Sequence, residues 1–415
     1  MVPDAQGRSD RSTAQTFELL CACARAHWNP DSEQRLRGLL QGPVDWAAVI
    51  RRARPHGLIP LLAHHLGRLA PELVPEPTLA VLQDLLEENR RRNRVLSTTL
   101  AEVLERFDSA GIRAIPFKGL PLAAAYFGDP AVRQTGDVDL LIPKSRALAA
   151  HDLLVEAGFR RFNPLTGESE PVSTAFPRNE ISFVRDEPAV ALDLHWHFLP
   201  RYYFFRFDFE SLWRNRQTLD VEGLEVPGLA NEELLLMLTA HGAKHYWPRL
   251  QWLADLEAVV VDGVDWHRLW PLAERLGGQR MLLLGLLLAQ RFVTLELPTE
   301  VERRIAEEPE IAEIAGPIVE QLEAAEFRAV RRIDPALFVR LRERRRDRLR
   351  VSLYHATLDL RLAFTPSEAD RAFLPLPRGL RFLHYVVRPL RLLAKHGLEP
   401  LRPLLGMLVP GLRRR

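Results

Sequence analysis

At 415 residues the chain is long enough for two or three domains, and its 47% apolar and 27% charged content is that of a globular protein with a substantial core. The longest apolar run, Met281 to Ala289, is far short of a membrane span, and the polar start MVPDAQGRSDRSTAQ carries no secretory h-region. The net charge of +2 hides an asymmetry: Arg328 to Arg415 holds 21 Lys/Arg against 7 Asp/Glu, a surplus of 14 that the rest of the chain must nearly cancel.

From Thr13 to Phe107 the pattern is helical throughout. Trp46, Val49 and Ile50 fall at helical spacing before a break at Pro55-His56-Gly57, and Leu79, Leu82, Leu85 and Leu86 form a second apolar face. The polar stretch Glu87 to Arg94 continues directly into Val95 to Phe107. Cys21 and Cys23, two apart on a helix, suit neither a disulfide nor a lone zinc site, which points to a reducing cytoplasm. His56, His64 and His65 have no cysteine or paired carboxylate nearby and read as ordinary core or surface residues.

The stretch from Gly111 to Ile142, GIRAIPFKGLPLAAAYFGDPAVRQTGDVDLLI, reads as strand, glycine turn, short helix, loop and strand. Ile112 to Phe117 is the first strand. Lys118-Gly119 opens a helix over Leu120 to Phe127, whose free N–H groups and dipole can hold a phosphate, and Gly128-Asp129-Pro130 stops it. Alternation then places Asp137 and Asp139 on one face of a strand, with Val138 and Leu140 on the other. Two adjacent carboxylates repel, and burying them unpaired is costly; a divalent cation such as Mg²⁺ or Mn²⁺ removes both problems.

After Pro143 a helix from Arg146 to Ala157 is expected, with Ser145 as cap and Gly158 closing it. A polar loop containing Pro164, Gly167 and Pro171 is a candidate lid. Ile181 to Arg185 and Val190 to His197 read as a hairpin joined by Asp186-Glu187-Pro188. The second strand, VALDLHWHF, sets Asp193, His195 and His197 on one face.

The ordered set KG, then Arg133, then GDVDLL, then DLHW resembles the nucleotidyltransferase superfamily that includes DNA polymerase β. Within it, the resemblance is to a bacterial group often found beside surface-polysaccharide genes, and it spans about Leu58 to Val260. It implies an α+β fold with a small mixed β-sheet, flanked by an N-terminal helical domain and a C-terminal helical region. It implies metal-dependent transfer of a nucleoside monophosphate from an NTP to an acceptor hydroxyl, with pyrophosphate released. Asp137, Asp139 and Asp193 are then the metal-binding and catalytic carboxylates; Lys118, Gly119 and Arg133 face the triphosphate. The superfamily usually has Gly-Ser where Lys118-Gly119 stands, so a lysine point charge replaces a hydroxyl contact.

Asn231 is the expected cap of a further helix with Glu232 and Glu233 in its first turn. His241, Lys244 and His245 share one face of that helix, and Lys244 is the candidate second contact to a triphosphate. Trp247, Trp252, Trp266 and Trp270 read as core. From Pro298 onward the chain is helical, proline-containing and basic, densest at Arg340 to Arg350. Its last segment interleaves arginine with apolar residues, which suits a membrane surface at the inner face, an acidic partner, nucleic acid included, or equally a docking helix for the rest of the protein. The domain boundaries that follow are 13–107 for the N-terminal helices, 108–229 for the catalytic core, 230–297 for a helical domain completing the nucleotide cleft, and 298–415 for the tail.

Two rival functions stand beside the transferase. A non-catalytic adaptor of the same fold would bind a nucleotide or polymer without turnover. A metal-dependent hydrolase would use the H-x-H of His195 and His197, but such enzymes are built on a (β/α)₈ barrel, and the helical pattern after Gly228 leaves no strands to make one.

Overall fold

The computed structural model describes residues 5–162, 179–200, 203–324, 335–366 and 368–396. The candidate lid with Pro164, Gly167 and Pro171 lies outside them. The chain forms two compact units, residues 1–334 with 340–343, and residues 335–339 with 344–415.

The first unit opens with helices, as the periodicity requires: α1 (Ala5–Cys23), α2 (Pro30–Leu40), α3 (Trp46–His56), α4 (Ile59–Leu69) and α5 (Glu76–Ser109). The polar run Glu87 to Arg94 does not interrupt α5, which extends unbroken for 34 residues. Its buried positions after that run, Leu96, Leu100, Val103 and Phe107, recur every three or four residues and form one apolar stripe.

That stripe lies against a five-stranded mixed sheet of order β1-β2-β5-β4-β3. The strands are β1 (Ile115–Pro116), β2 (Val138–Leu141), β3 (Arg160–Phe162), β4 (Glu180–Arg185) and β5 (Val190–His195). Only the β2–β5 pair is parallel; the other three are antiparallel. One face is wholly apolar: Val138, Leu140, Leu192, Leu194, Ile181 and Phe183 pack on α5 and on α7 (Ala147–Glu156). Period-2 alternation therefore sends Asp139, Asp193, His195, Ser182 and Glu180 to the opposite face. The fold is α+β, with helical regions before and after the sheet along the chain. The sheet is small and mixed, and the described residues form no (β/α)₈ barrel.

The expected strand Ile112 to Phe117 is shorter than its apolar run. Ile112, Ala114 and Phe117 are buried, but only Ile115 and Pro116 pair with β2. Pro116 has no N–H to donate, which an edge strand tolerates. Helix α6 spans Leu120–Phe127 and the β4–β5 hairpin forms across Asp186 to Ala189, both where the sequence places them.

A second group of helices, Asn231–His245, Leu250–Asp262 and Gln279–Val293, packs together beyond a small hairpin of β6 (Gln217–Val221) and β7 (Leu224–Gly228). Asn231 is not the cap of its helix. Ala230 holds that position, and the Asn231 amide instead donates to Asp262 Oδ2 and the Gly263 carbonyl while its Oδ1 accepts from Tyr126. Trp247 is fully buried in this group, its ring lying where a Cβ on Gly242 or Gly285 would fall at 2.5 or 2.9 Å.

Candidate active site

The carboxylates meet because β2 and β5 run parallel in register: Asp139 is the Cα partner of Asp193, and Leu141 that of His195. On the other side of β5, Glu180 of β4 is opposite His195 and Ser182 opposite Asp193. One polar face thus carries Asp139, Asp193, His195 and Glu180 side by side.

Asp139 is the hub. Its side chain is fully buried, and Oδ1 lies 2.9 Å from Lys118 Nζ and 3.0 Å from His195 Nε2. Its second oxygen, Oδ2, is buried and has no hydrogen-bond partner among the described residues. Burial would raise the Asp139 carboxyl, but the Lys118 ammonium and the His195 ring outweigh it and hold it below the usual carboxylate range. Lys118 is raised in return: burial opposes its charge, and Asp139 and Asp137 overcome that opposition. His195 is pushed up to about 9, since the hydrogen bonds to Asp139 and Glu180 outweigh the cost of burying a cation. Its Nδ1 lies 3.1 Å from Glu180 Oε2.

Asp137 is partly buried just before β2. The negative charge of Asp139, and after it burial, raise its carboxyl to about 6. Asp193 is raised too, chiefly by burial, with Asp139 adding to the effect and a hydrogen bond from Ser182 opposing it. Proximity of three carboxylates is costly without cations, and it is the first cause of the Asp137 shift and a lesser cause, after burial, of the Asp193 shift.

A divalent cation has acceptors on this face. Atoms of Asp139, Asp193 and His195 lie within 4.8 Å of one another, and Asp139 Oδ2 is buried with no hydrogen-bond partner among the described residues. The His195 ring, shared between Asp139 and Glu180, would have to give up its proton to act as a ligand. Asp137 lies outside that cluster of three and borders the adjoining cleft.

The cleft has a volume of about 570 Å³. Its charged wall is Lys118, Gly119, Asp137 and Asp139, and its opposite wall is His241, His245, Arg249 and Trp252. Gly119 adopts φ +67° and ψ −118°, a conformation reserved for glycine, and a Cβ there would sit 2.9 Å from Thr135 Cγ2. The turn can therefore bring its backbone close to a ligand at the start of α6.

The family described as Uncharacterised nucleotidyltransferase matches residues 42–294, more than half of the chain. The chain belongs to this nucleotidyltransferase family. No curated protein matches it.

The matched span runs from the start of α3 through the Gln279–Val293 helix, so it takes in both walls of the nucleotidyltransferase cleft. Arg133 reaches that cleft already paired: its Nε and Nη2 donate to the two oxygens of Asp255 at 2.7 Å each, and both side chains are buried. Its carbonyl accepts from the amides of Asn89 and Asn93 on α5. Gln251 donates to the neighbouring Gln134 carbonyl at 2.9 Å. The loop that delivers Asp137 is thus clamped between α5 and the Leu250–Asp262 helix. Lys244 stands near Glu180 and Lys118, outside the residues that line the cleft; burial lowers it, and Glu180 partly compensates.

Three residues of this candidate site, Glu180, Asp255 and Trp252, are not singled out as functional by the sequence. Glu180 is legible only once β4 and β5 are in register. Asp255 and Glu257 are the two carboxylates within LQWLADLEAVV, and such charges on an apolar helix signal buried partners, Arg133 for the first and the Ala26 and His27 amides for the second. Trp252 reads as core but is half-exposed, its ring edge-on to His241 at 4.8 Å and His245 at 5.7 Å.

Proposed function

We propose that the chain transfers a nucleoside monophosphate from an NTP to an acceptor hydroxyl, with Mg²⁺ or Mn²⁺ held by Asp137, Asp139 and Asp193. The observation that carries this reading is the in-register pair Asp139 and Asp193 on parallel strands, with a buried, unpartnered Asp139 oxygen beside a glycine-only turn. Bound there, the cation would neutralise the carboxylates and draw negative charge from the triphosphate.

The chain's own residues then have distinct tasks. The Gly119 backbone and Lys118 hold phosphate oxygens, with Lys244 adding positive potential from behind Glu180. Asp193 orients the acceptor hydroxyl and accepts its proton as the oxygen attacks the α-phosphorus. The new O–P bond forms as the bond to the β-phosphate oxygen breaks, and pyrophosphate leaves. Arg133, tied to Asp255, contributes positive charge from a fixed position and keeps the Asp137 loop in place. His195, charged between Asp139 and Glu180, fixes the orientation of Asp139. Trp252 with His241 and His245 gives the cleft an aromatic wall suited to the nucleobase.

In this reading residues 13–107 are a helical scaffold, 108–229 the catalytic core and 230–297 the wall that completes the nucleotide cleft. Of the tail 298–415, the helices through Glu323 belong to the first compact unit and the basic part from Arg344 to the second. We place the protein in the cytoplasm, where NTP is available, and a role in surface-polysaccharide synthesis accords with the group it resembles.

The test is incubation with each labelled NTP and Mg²⁺ or Mn²⁺ plus fractionated cell extract, with Asp137→Ala as control. Label retained on one fraction, together with metal-dependent pyrophosphate release, supports the transferase and names the acceptor class. A second reading, the non-catalytic adaptor, is favoured by one observation: Lys118 already neutralises Asp139 at 2.9 Å. It predicts nucleotide or polymer binding without pyrophosphate release from any NTP, and no effect of Asp139→Ala on product.

A further inference from the structure

In the second unit the ordinary division of a helix into a polar outside and an apolar inside is reversed. On the His384–His396 helix, Arg388 and Arg391 are turned inward, where they pair with the buried Asp370 at 2.5 and 2.7 Å. His384 is buried as well, its ring nitrogens 3.0 and 2.9 Å from the carbonyls of Arg381 and Leu374. With the polar residues so anchored, Tyr385, Val386 and Leu390 are left on the outer side at 54, 57 and 61% exposure. The preceding turn adds Phe382 at 62%, and the Glu368–Phe373 helix ends on Phe373 at 65%.

This is not scattered exposure. Of the seventeen large apolar side chains exposed among the described residues, twelve fall between Leu349 and Leu390. A monomer rarely leaves such a concentration to water, so the face is built to be covered. The accompanying charge identifies the cover. Both carboxylates whose side chains are described in this unit, Asp347 and Asp370, are buried, and every exposed charged side chain described there is an arginine: Arg345, Arg346, Arg350, Arg371 and Arg381. An apolar face in a unit whose exposed, described charges are all of one sign matches acyl chains beneath anionic headgroups. A two-fold contact with a second copy would set those arginines against one another. No helix among the described residues is long and apolar enough to cross a membrane.

We propose that residues 344–396 dock on an anionic lipid surface through the outward face of the His384–His396 helix and the turn before it. The apolar side chains enter the interface while the arginines meet headgroup phosphates. This is independent of the nucleotidyl-transfer reading, since it uses no residue of the cleft.

The test is flotation of the full chain with vesicles of phosphatidylcholine alone or mixed with phosphatidylglycerol, at low and high salt. Recovery with the mixed vesicles only, weakened by salt, is expected. Val386→Asp combined with Leu390→Asp should lower the bound fraction on the order of tenfold, with the far-ultraviolet circular dichroism unchanged because both side chains are already in solvent. Equal binding to both vesicle types, binding to neither, or unchanged binding by the double variant would overturn the proposal. So would a dimer in sedimentation that the double variant disrupts while vesicles capture nothing, which would give the face to a second copy.

Discussion

Asp139 and Asp193 occupy matched positions on the two parallel strands of the sheet, yet their surroundings differ: Asp139 shares one oxygen with Lys118 and His195, while Asp193 is raised chiefly by burial. The two are expected to fail differently. Asp139→Ala leaves Lys118 and His195 as buried cations without their shared acceptor, and breaking a buried pair in this way costs about 3–5 kcal/mol. Asp193→Asn removes a carboxylate that repels Asp139, so it should hold or gain stability while metal binding is lost. Urea denaturation and Mn²⁺ titration of the two variants check both halves, and a strongly destabilised Asp193→Asn would contradict the account.

Arg133 and Asp255 are argued to fix the loop before Asp137. Either alanine substitution strands a buried charge and should cost roughly 3–5 kcal/mol. The double substitution should cost clearly less than the sum of the singles, because neither charge remains to be stranded. Additive losses in a denaturation cycle would show that the pair is not coupled. Arg133→Lys should not restore wild-type stability, since a single ammonium cannot reproduce two parallel N–H donors.

Gly119→Ala combines two penalties, a positive φ at a ψ that side chains do not adopt and a 2.9 Å approach to Thr135 Cγ2. We expect a loss of about 1–3 kcal/mol and weakened NTP affinity. Adding Thr135→Ser removes the methyl but not the backbone strain, so it should recover only part of the stability. Full recovery in a melting experiment would mean that crowding alone set the cost.

These cases also show why some of the site is legible in the sequence and some is not. Asp139 and Asp193 each sit in an alternating strand whose other residues are apolar, so the face they share follows from a period of two. The helix Leu120–Phe127 was equally readable, because a positive-φ glycine stands at each end. Asp255 is 122 residues from Arg133, and nothing local in either segment specifies the other. Glu180 depends on a strand register that a hairpin of uncertain turn length leaves open by one or two residues, and each one-residue slip exchanges the faces. Asn231 does not cap its helix because a good capping residue next to a helix can be claimed by tertiary partners, here Tyr126, Asp262 and Gly263.

Trp252 is the half-exposed aromatic ring in the lining of the cleft. If a nucleobase lies on it, Trp252→Ala should weaken NTP binding by about 1–3 kcal/mol, roughly a tenfold or greater rise in Kd, whereas Trp252→Phe should keep most of the affinity. Binding of Mn²⁺ alone should be unaffected, since Trp252 is no part of the carboxylate cluster. Equilibrium dialysis with each NTP gives the answer, and equal affinity for wild type and Trp252→Ala would remove the base from this wall.

The buried histidines predict a stability maximum near neutral pH. His195 has its folded-state pKa raised to about 9, so the stabilisation it contributes is fully present below its ordinary value near 6.5 and is lost as pH rises through about 9. His56 and His65 are depressed, to about 4 and about 3, first by burial; they fold neutral, and their contribution is lost as pH falls from 6.5 towards those values. Asp137, raised to about 6, works against the second loss, because its protonation relieves repulsion with Asp139. Thermal melting of the metal-free protein should therefore give a peak that declines on both sides, more steeply on the acid side, where His245, also depressed to about 3 by burial, adds to His56 and His65, against the single His195 on the alkaline side. His195→Gln should flatten the alkaline limb and leave the acid limb in place. An alkaline limb unchanged in His195→Gln would show that the charge balanced between Asp139 and Glu180 does not govern the stability of this sheet.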